Sequence, residues 1–409
     1  MRIASTGLIH DEPGRSTPGY LLIRPAEGDS SFLLDPDGEV AHSWSGRTGM
    51  TNWGYLLPNG ILFANERSAV RKGVALTVSG RMAEYDRDGR LVWSHEDPWQ
   101  HHDARRLENG AIYAAFTELT DAEKLAIRGG VPGSEADGGP FGEVIRQVDE
   151  EGHVVWEWHF SNLGFAEHPL HRNANRWSYG HTNTVLPLPD GTILVSSKNL
   201  NMIFIIDPAT GEVVWRYQND EMGGQHDAQL LDNGNILVFA NGAYSRDLHH
   251  SQVWEINPVT YEIEWRYSAR DNMTSFFSPH MGGAQRLPGG SSLHPLMRLW
   301  HTNSLVHNGQ RLDPSIQENE THPSKPQLEK DVCAVALPFP PGTMPEHRLG
   351  GKGVKTKSKG LMVSSVFEIP VKSGGTPRSS SASARFSCAS ICSPWSMRVS
   401  EKSSSHEKA

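Results

Sequence analysis

The chain has 409 residues, 37% of them hydrophobic, and a formal net charge of -9. That length and apolar content are enough to bury a large core. The negative balance argues against a nucleic-acid surface, which needs clustered Lys and Arg to displace phosphate counterions. The three cysteines, Cys333, Cys388 and Cys392, lie in the last quarter without zinc-type spacing to histidines, so no structural metal is expected. The opening MRIASTGLIHDEPGRSTPGY lacks the apolar core of a secretory signal. A cytoplasmic location is therefore expected, or a periplasmic or secreted one if the N-terminus is incomplete. Nothing approaches the roughly 20 apolar residues of a membrane helix.

In chain order, a first unit runs from Tyr20 to Trp44 as YLLIRPAEGDSSFLLDPDGEVAHSW, an alternating segment, a turn and a closing strand. Similar units follow over about 52–95, 101–159, 181–217 and 226–267. Their closing tryptophans, Trp44, Trp93, Trp156, Trp215 and Trp265, are spaced by 49, 63, 59 and 50 residues, the period of four-stranded propeller blades with variable loops. DPDG, DRDG, DEEG and DPATG precede the closing strands, and Gly there tolerates the positive φ of tight hairpins. Helical periodicity is confined to Thr120–Arg128, within a Gly-rich insertion over about 119–141. The expected fold class is all-β, a β-propeller.

A further unit opens at SPHMGGAQRLPGG and then loses the pattern. Residues 1–290 are expected to form the propeller, as an incomplete ring, and 291–409 a low-complexity tail. The tail carries 15 Lys and Arg against 9 Asp and Glu, and its Ser-rich, basic composition does not bury enough apolar area to fold. Natural disorder and out-of-frame translation both remain open as its origin.

Four units open with a histidine: His101 or His102, His181, His226 and His280. First strands line a propeller's central channel, so these side chains are expected to ring one mouth. The turn at Pro189-Asp190-Gly191 sets Lys198 opposite His181, and strand alternation places Asn183 on the face of His181. Asp227 is expected to point away from His226 and to hold a neighbouring blade, and Arg105 and Arg106 to form structural salt bridges. Imidazoles with a lysine suit an anionic oxyacid group, and one imidazole can act as nucleophile, so sulfuryl or phosphoryl transfer through histidine is reasonable. Two alternatives stay open: four histidines ligating iron, or a non-catalytic binding propeller with structural histidines.

GHTNTVLPLPDGTILVSSKN, with GGQHDAQLLDNGN after it and WQHHDARRLENG before it, resembles the arylsulfate sulfotransferase family over about residues 18–290. The resemblance implies a six-bladed propeller and ping-pong transfer of a sulfuryl group, without a nucleotide cofactor, from an aryl sulfate to a phenol through a sulfohistidine. By motif, His226 matches the nucleophile, and His181 and Asn183 the sulfate-binding and charge-stabilising positions. His102 matches the channel histidine used in proton transfer or phenol binding. Lys198 stands where the family usually has arginine, which keeps the charge and loses the bidentate fork. His280 is the fourth ring position, expected to bind substrate. No cofactor and no metal are expected. The expected partners are a small-molecule aryl sulfate and a phenol, with no nucleic acid and no membrane; a homodimer is left open.

Overall fold

The computed structural model describes residues 19–25, 29–45, 50–68, 79–244, 249–269, 276–287, 292–293 and 332–337. They form five four-stranded antiparallel sheets and one two-stranded pair. Sheet I holds β1 (Tyr20–Pro25), β2 (Ser30–Leu34) and β3 (Val40–Ser45), and sheet II β4 (Met50–Leu56), β5 (Leu62–Arg67), β6 (Gly80–Tyr85) and β7 (Leu91–Glu96). Sheet III consists of β8 (Gln100–Leu107), β9 (Gly110–Thr117), β10 (Gly142–Val148) and β11 (Val154–His159). Sheet IV follows with β12 (Thr182–Pro187), β13 (Ile193–Ser197), β14 (Met202–Ile206) and β15 (Val213–Gln218), and sheet V with β16 (His226–Leu230), β17 (Ile236–Ala240), β18 (Gln252–Ile256) and β19 (Ile263–Tyr267). The pair β20 (Gln285–Arg286) and β21 (Ser292–Leu293) comes next. The fold is thus an all-β propeller arrangement, with five full sheets where the family resemblance implied six blades.

The tail departs from expectation at one place. Val332–Leu337, the apolar run VCAVAL, is strand β22 and pairs with β1 in sheet I, Tyr20 opposite Leu337 and Pro25 opposite Val332. This segment is apolar and partly β-branched, which suits a strand, whereas the basic, Ser-rich composition around it does not. The remainder of 291–409, apart from β21, and the boundary at 290 lie outside the described residues.

Strand alternation builds the core as layers between sheets. On β9, Ile112 and Ala114 pack with Val185, Val195 and Phe204 of sheet IV, while Tyr113 and Ala115 pack with Phe63 and Met82 of sheet II. On β17, Val238 and Ala240 face Leu194 and Ile203 of sheet IV, and Leu237 and Phe239 face Phe276. A second strand buried on both faces needs no polar side, which is why ILVFA reads as a continuous apolar run, and the two serines that close ILVSS are buried and hydrogen-bonded. The tryptophan period has an equally direct cause. Trp44 Nε1 donates to Asp86 O at 3.0 Å, Trp93 to Glu150 O at 3.1 Å, Trp156 to Pro208 O at 3.1 Å and Trp215 to Pro258 O at 2.8 Å. The closing strands of sheets I to IV therefore each grip the hairpin turn of the next sheet.

The helical signal in the insertion is helix α1 (Asp121–Ala126), capped by Thr120 and Glu123 in a reciprocal box. Among the described residues no helix is long and apolar enough to cross a membrane.

Candidate active site

The entry strands β8, β12 and β16 carry the histidines, and their backbone is irregular at the same place. Each has a bulge at its start, between His101 and Ala104, between Thr182 and Thr184, and between His226 and Gln229. Each entry also holds a non-glycine residue in the left-handed region: His102 at φ 51°, His181 at 54°, Asp227 at 56°, and Met281 at 64° before β20. Such a conformation costs about 1–3 kcal/mol and persists only where the surroundings impose it. Here a repeated clamp imposes it. Asp103 Oδ2 accepts Val185 N at 2.9 Å, Thr184 Oγ1 accepts Ala228 N at 3.3 Å, and Asp227 Oδ2 accepts Ala284 N at 3.1 Å. Asp227 thus braces the neighbouring strand, as its facing predicted. Asp103 also pairs with Arg105 at 3.2 Å, and Arg106 is tied to Glu84 and Glu150; both arginines are structural.

Three of the ring histidines come together. The His102 and His181 rings are 4.8 Å apart and inclined at 62°, and His181 and His226 each expose 8% of their surface. Lys198 N donates to His181 O at 3.2 Å, the pairing that the turn predicts, and its ammonium acts on all three imidazoles. His280 also acts electrostatically on His226, and the neighbouring Met281 N reaches His226 Nε2 at 3.4 Å. Asn183 is half-buried beside them, but it sits in the bulge, and its Nδ2 donates to Gln225 O at 2.7 Å.

His226 has a determined tautomer. Asn241 Nδ2 donates to Ser278 O at 2.9 Å and Met281 O at 2.7 Å, so its Oδ1 is the acceptor 2.8 Å from His226 Nδ1. The ring proton therefore sits on Nδ1 and the lone pair on Nε2. Burial is the main force holding His226, His181 and His102 well below the usual histidine range, and Lys198 adds to it. All three are neutral at pH 7. Burial also brings Lys198 down to about 8. Among the described residues no carboxylate pairs with that ammonium, so the site has a cation without a counter-ion, the setting for an anionic ligand.

His101 points away from this group into the wall of sheet III, stacked on Phe116 at 4.0 Å. Behind His181 stands the buried carboxylate of Glu143. It accepts from Thr182 N at 2.7 Å and from Ser178 Oγ at 2.7 Å, and also from His181 N and Thr182 Oγ1. The residue before His181 has to be glycine: a Cβ on Gly180 would lie 2.6 Å from the Phe160 ring and 2.8 Å from Glu143 Oε2.

Glu143 and Asn241 were not anticipated. Asn241 did leave a signal, since Phe-Ala-Asn recurs on the second strand of sheet II (63–65) and at the end of that of sheet V (239–241). Asn65 likewise reaches an entry histidine, donating to His102 O at 2.7 Å. Among the described residues the three ligand groups that lie within 4.8 Å of one another are Asp149, Glu151 and His153, on a hairpin turn.

No curated protein matches the chain. Among solved structures, a protein of unknown function from Bacteroides caccae is 16% identical over 69% of this chain and 84% of its own, with a TM-score of 0.45. A streptogramin B lyase is 14% identical over 68% and 87%, with a TM-score of 0.41. Virginiamycin B lyase from Staphylococcus aureus is 10% identical over 68% and 74%, with a TM-score of 0.38. The family model described as Arylsulfotransferase (ASST) matches residues 80–298, more than half of the chain and every histidine of the ring. By that match the chain belongs to the arylsulfotransferase family.

Proposed function

We propose that the protein moves a sulfuryl group from an aryl sulfate to a phenol by a ping-pong mechanism through His226. The observation that carries this reading is the locked tautomer of His226, whose unprotonated Nε2 shares a buried site with the ammonium of Lys198, which no carboxylate among the described residues pairs. The sulfate anion lies against Lys198, with His181 and the second amide hydrogen of Asn183 as further donors; His280 flanks it. Donors already in place in a water-poor site stabilise the charge that develops on the sulfuryl oxygens.

In the first half-reaction Nε2 bonds to sulfur as the S–O bond to the aryl oxygen breaks, and the phenolate leaves, protonated by His102 when that ring still holds the proton of the preceding acceptor and by solvent otherwise. The Nδ1 proton stays on the hydrogen bond to Asn241, which supports the positive charge the ring acquires. In the second half-reaction a phenol oxygen bonds to sulfur, its proton departs, and the N–S electron pair returns to Nε2. His102, in ring contact with His181, exchanges the proton in both directions. Wild-type protein given an aryl sulfate alone should release a burst of phenol and carry a sulfuryl group on the peptide containing His226. His226→Ala should do neither, and unchanged turnover in that variant would remove the assignment.

A further inference from the structure

We infer that Glu143 and His101 are positioning residues that set the ring tautomer of His102, so that its Nε2 is the base accepting the proton of the incoming phenol. The inference rests on the sulfuryl-transfer reading above and adds residues that the reading does not use.

His101 Nδ1 and His102 Nδ1 are 2.8 Å apart. Two imidazole nitrogens at that distance share one proton, which leaves two arrangements. If it sits on His101 Nδ1, the bare Nε2 of His101 turns its lone pair toward Glu143 Oε2 at 3.9 Å, with both side chains fully buried. If it sits on His102 Nδ1, then His101 is protonated at Nε2 and presents a positive edge to that carboxylate. Burial pushes the Glu143 carboxyl up, and four donors from Ser178, His181 and Thr182 converge on it and favour the ionised form. Asp97, on the loop before β8, acts on His101 with the same negative sign. Among the described residues His101 Nε2 has no hydrogen-bond partner, so the field of the carboxylates decides between the tautomers. It selects the second: proton on His101 Nε2, His101 Nδ1 accepting, His102 Nδ1 donating, and His102 Nε2 bare.

The resulting step is balanced. The phenol O–H proton passes to His102 Nε2 as the phenol oxygen bonds to sulfur and the N–S pair returns to His226. In the next cycle that proton goes to the departing phenolate, which resets His102. Phe116, stacked at 4.0 Å, and the His101–His102 ring contact at 5.0 Å hold the array in place.

The test uses His101→Phe, which keeps a planar ring beside Phe116 and removes both nitrogens. Transfer is measured to two acceptors, one phenol ionised at the assay pH and one not. The rate with the un-ionised phenol should fall about 100-fold more than that with the ionised one, the size of general base catalysis. Equal losses overturn the relay and make His101 a packing residue. A wild type that transfers to neither phenol overturns the sulfuryl-transfer reading and the relay with it. Nitrogen NMR of histidine-labelled wild type reads the tautomer without turnover, and a protonated His102 Nε2 at pH 7 also overturns the relay.

Discussion

Lys198 should weaken the fold it belongs to, and the size of that effect follows from its proton equilibrium. Burial lowers its pKa from 10.5 to about 8. At about 1.4 kcal/mol for each tenfold change, the charged ammonium costs the folded state roughly 3 kcal/mol. Because the folded value lies below the unfolded one, the whole cost is present below pH 8, where lysine is charged in both states. It is relieved between pH 8 and 10.5, as the folded protein releases a proton that the unfolded chain still holds. Lys198→Met keeps most of the aliphatic stem and removes the charge. Since the side chain is only half-buried, we expect the variant to be more stable at pH 7 by about 1–3 kcal/mol. The gap should shrink below about 1 kcal/mol by pH 10. Urea unfolding of both proteins at pH 7 and pH 10 measures it. A variant less stable at pH 7, or a gap that is the same at both values, would refute the reasoning. Sulfuryl transfer should be lost in the variant, so the residue that destabilises the fold is also the one the anion requires.

Asn241→Leu removes the acceptor that holds the His226 proton on Nδ1. Such orienting partners are worth about 10- to 100-fold, so kcat with an aryl sulfate should fall by that factor while the protein stays folded by circular dichroism. Trp156→Phe keeps a six-membered aromatic ring and deletes the indole N–H that donates to Pro208 O; one hydrogen bond between sheets is worth about 1 kcal/mol, so the urea midpoint should fall by at least that equivalent with an unchanged slope.

The sequence was informative where a pattern repeats and where a turn sets a register. Trp44, Trp93, Trp156 and Trp215 repeat because each makes the same bond to the next hairpin, so their spacing revealed the blades. Lys198 opposite His181 followed from antiparallel pairing away from a tight turn. At Asn183 a bulge interrupts the two-residue alternation from which its facing was read. The same irregularity concealed which of His101 and His102 faces the site: with two residues bulged between His101 and Ala104, counting from the turn does not settle it. Glu143 belongs to the third strand of its sheet and reaches the site across to β12, a long-range contact that leaves no local motif.

The pairing of β1 with β22 sets the order in which the molecule can be completed. Sheets II to V are each closed by neighbouring hairpins, so their strands can pair as soon as they are made. Sheet I waits for a partner separated from it by a loop of roughly 300 residues, whose closure entropy is on the order of 5 kcal/mol. The seam between Tyr20–Pro25 and Val332–Leu337 is then the last joint to form, and the first at which amide hydrogens exchange with solvent.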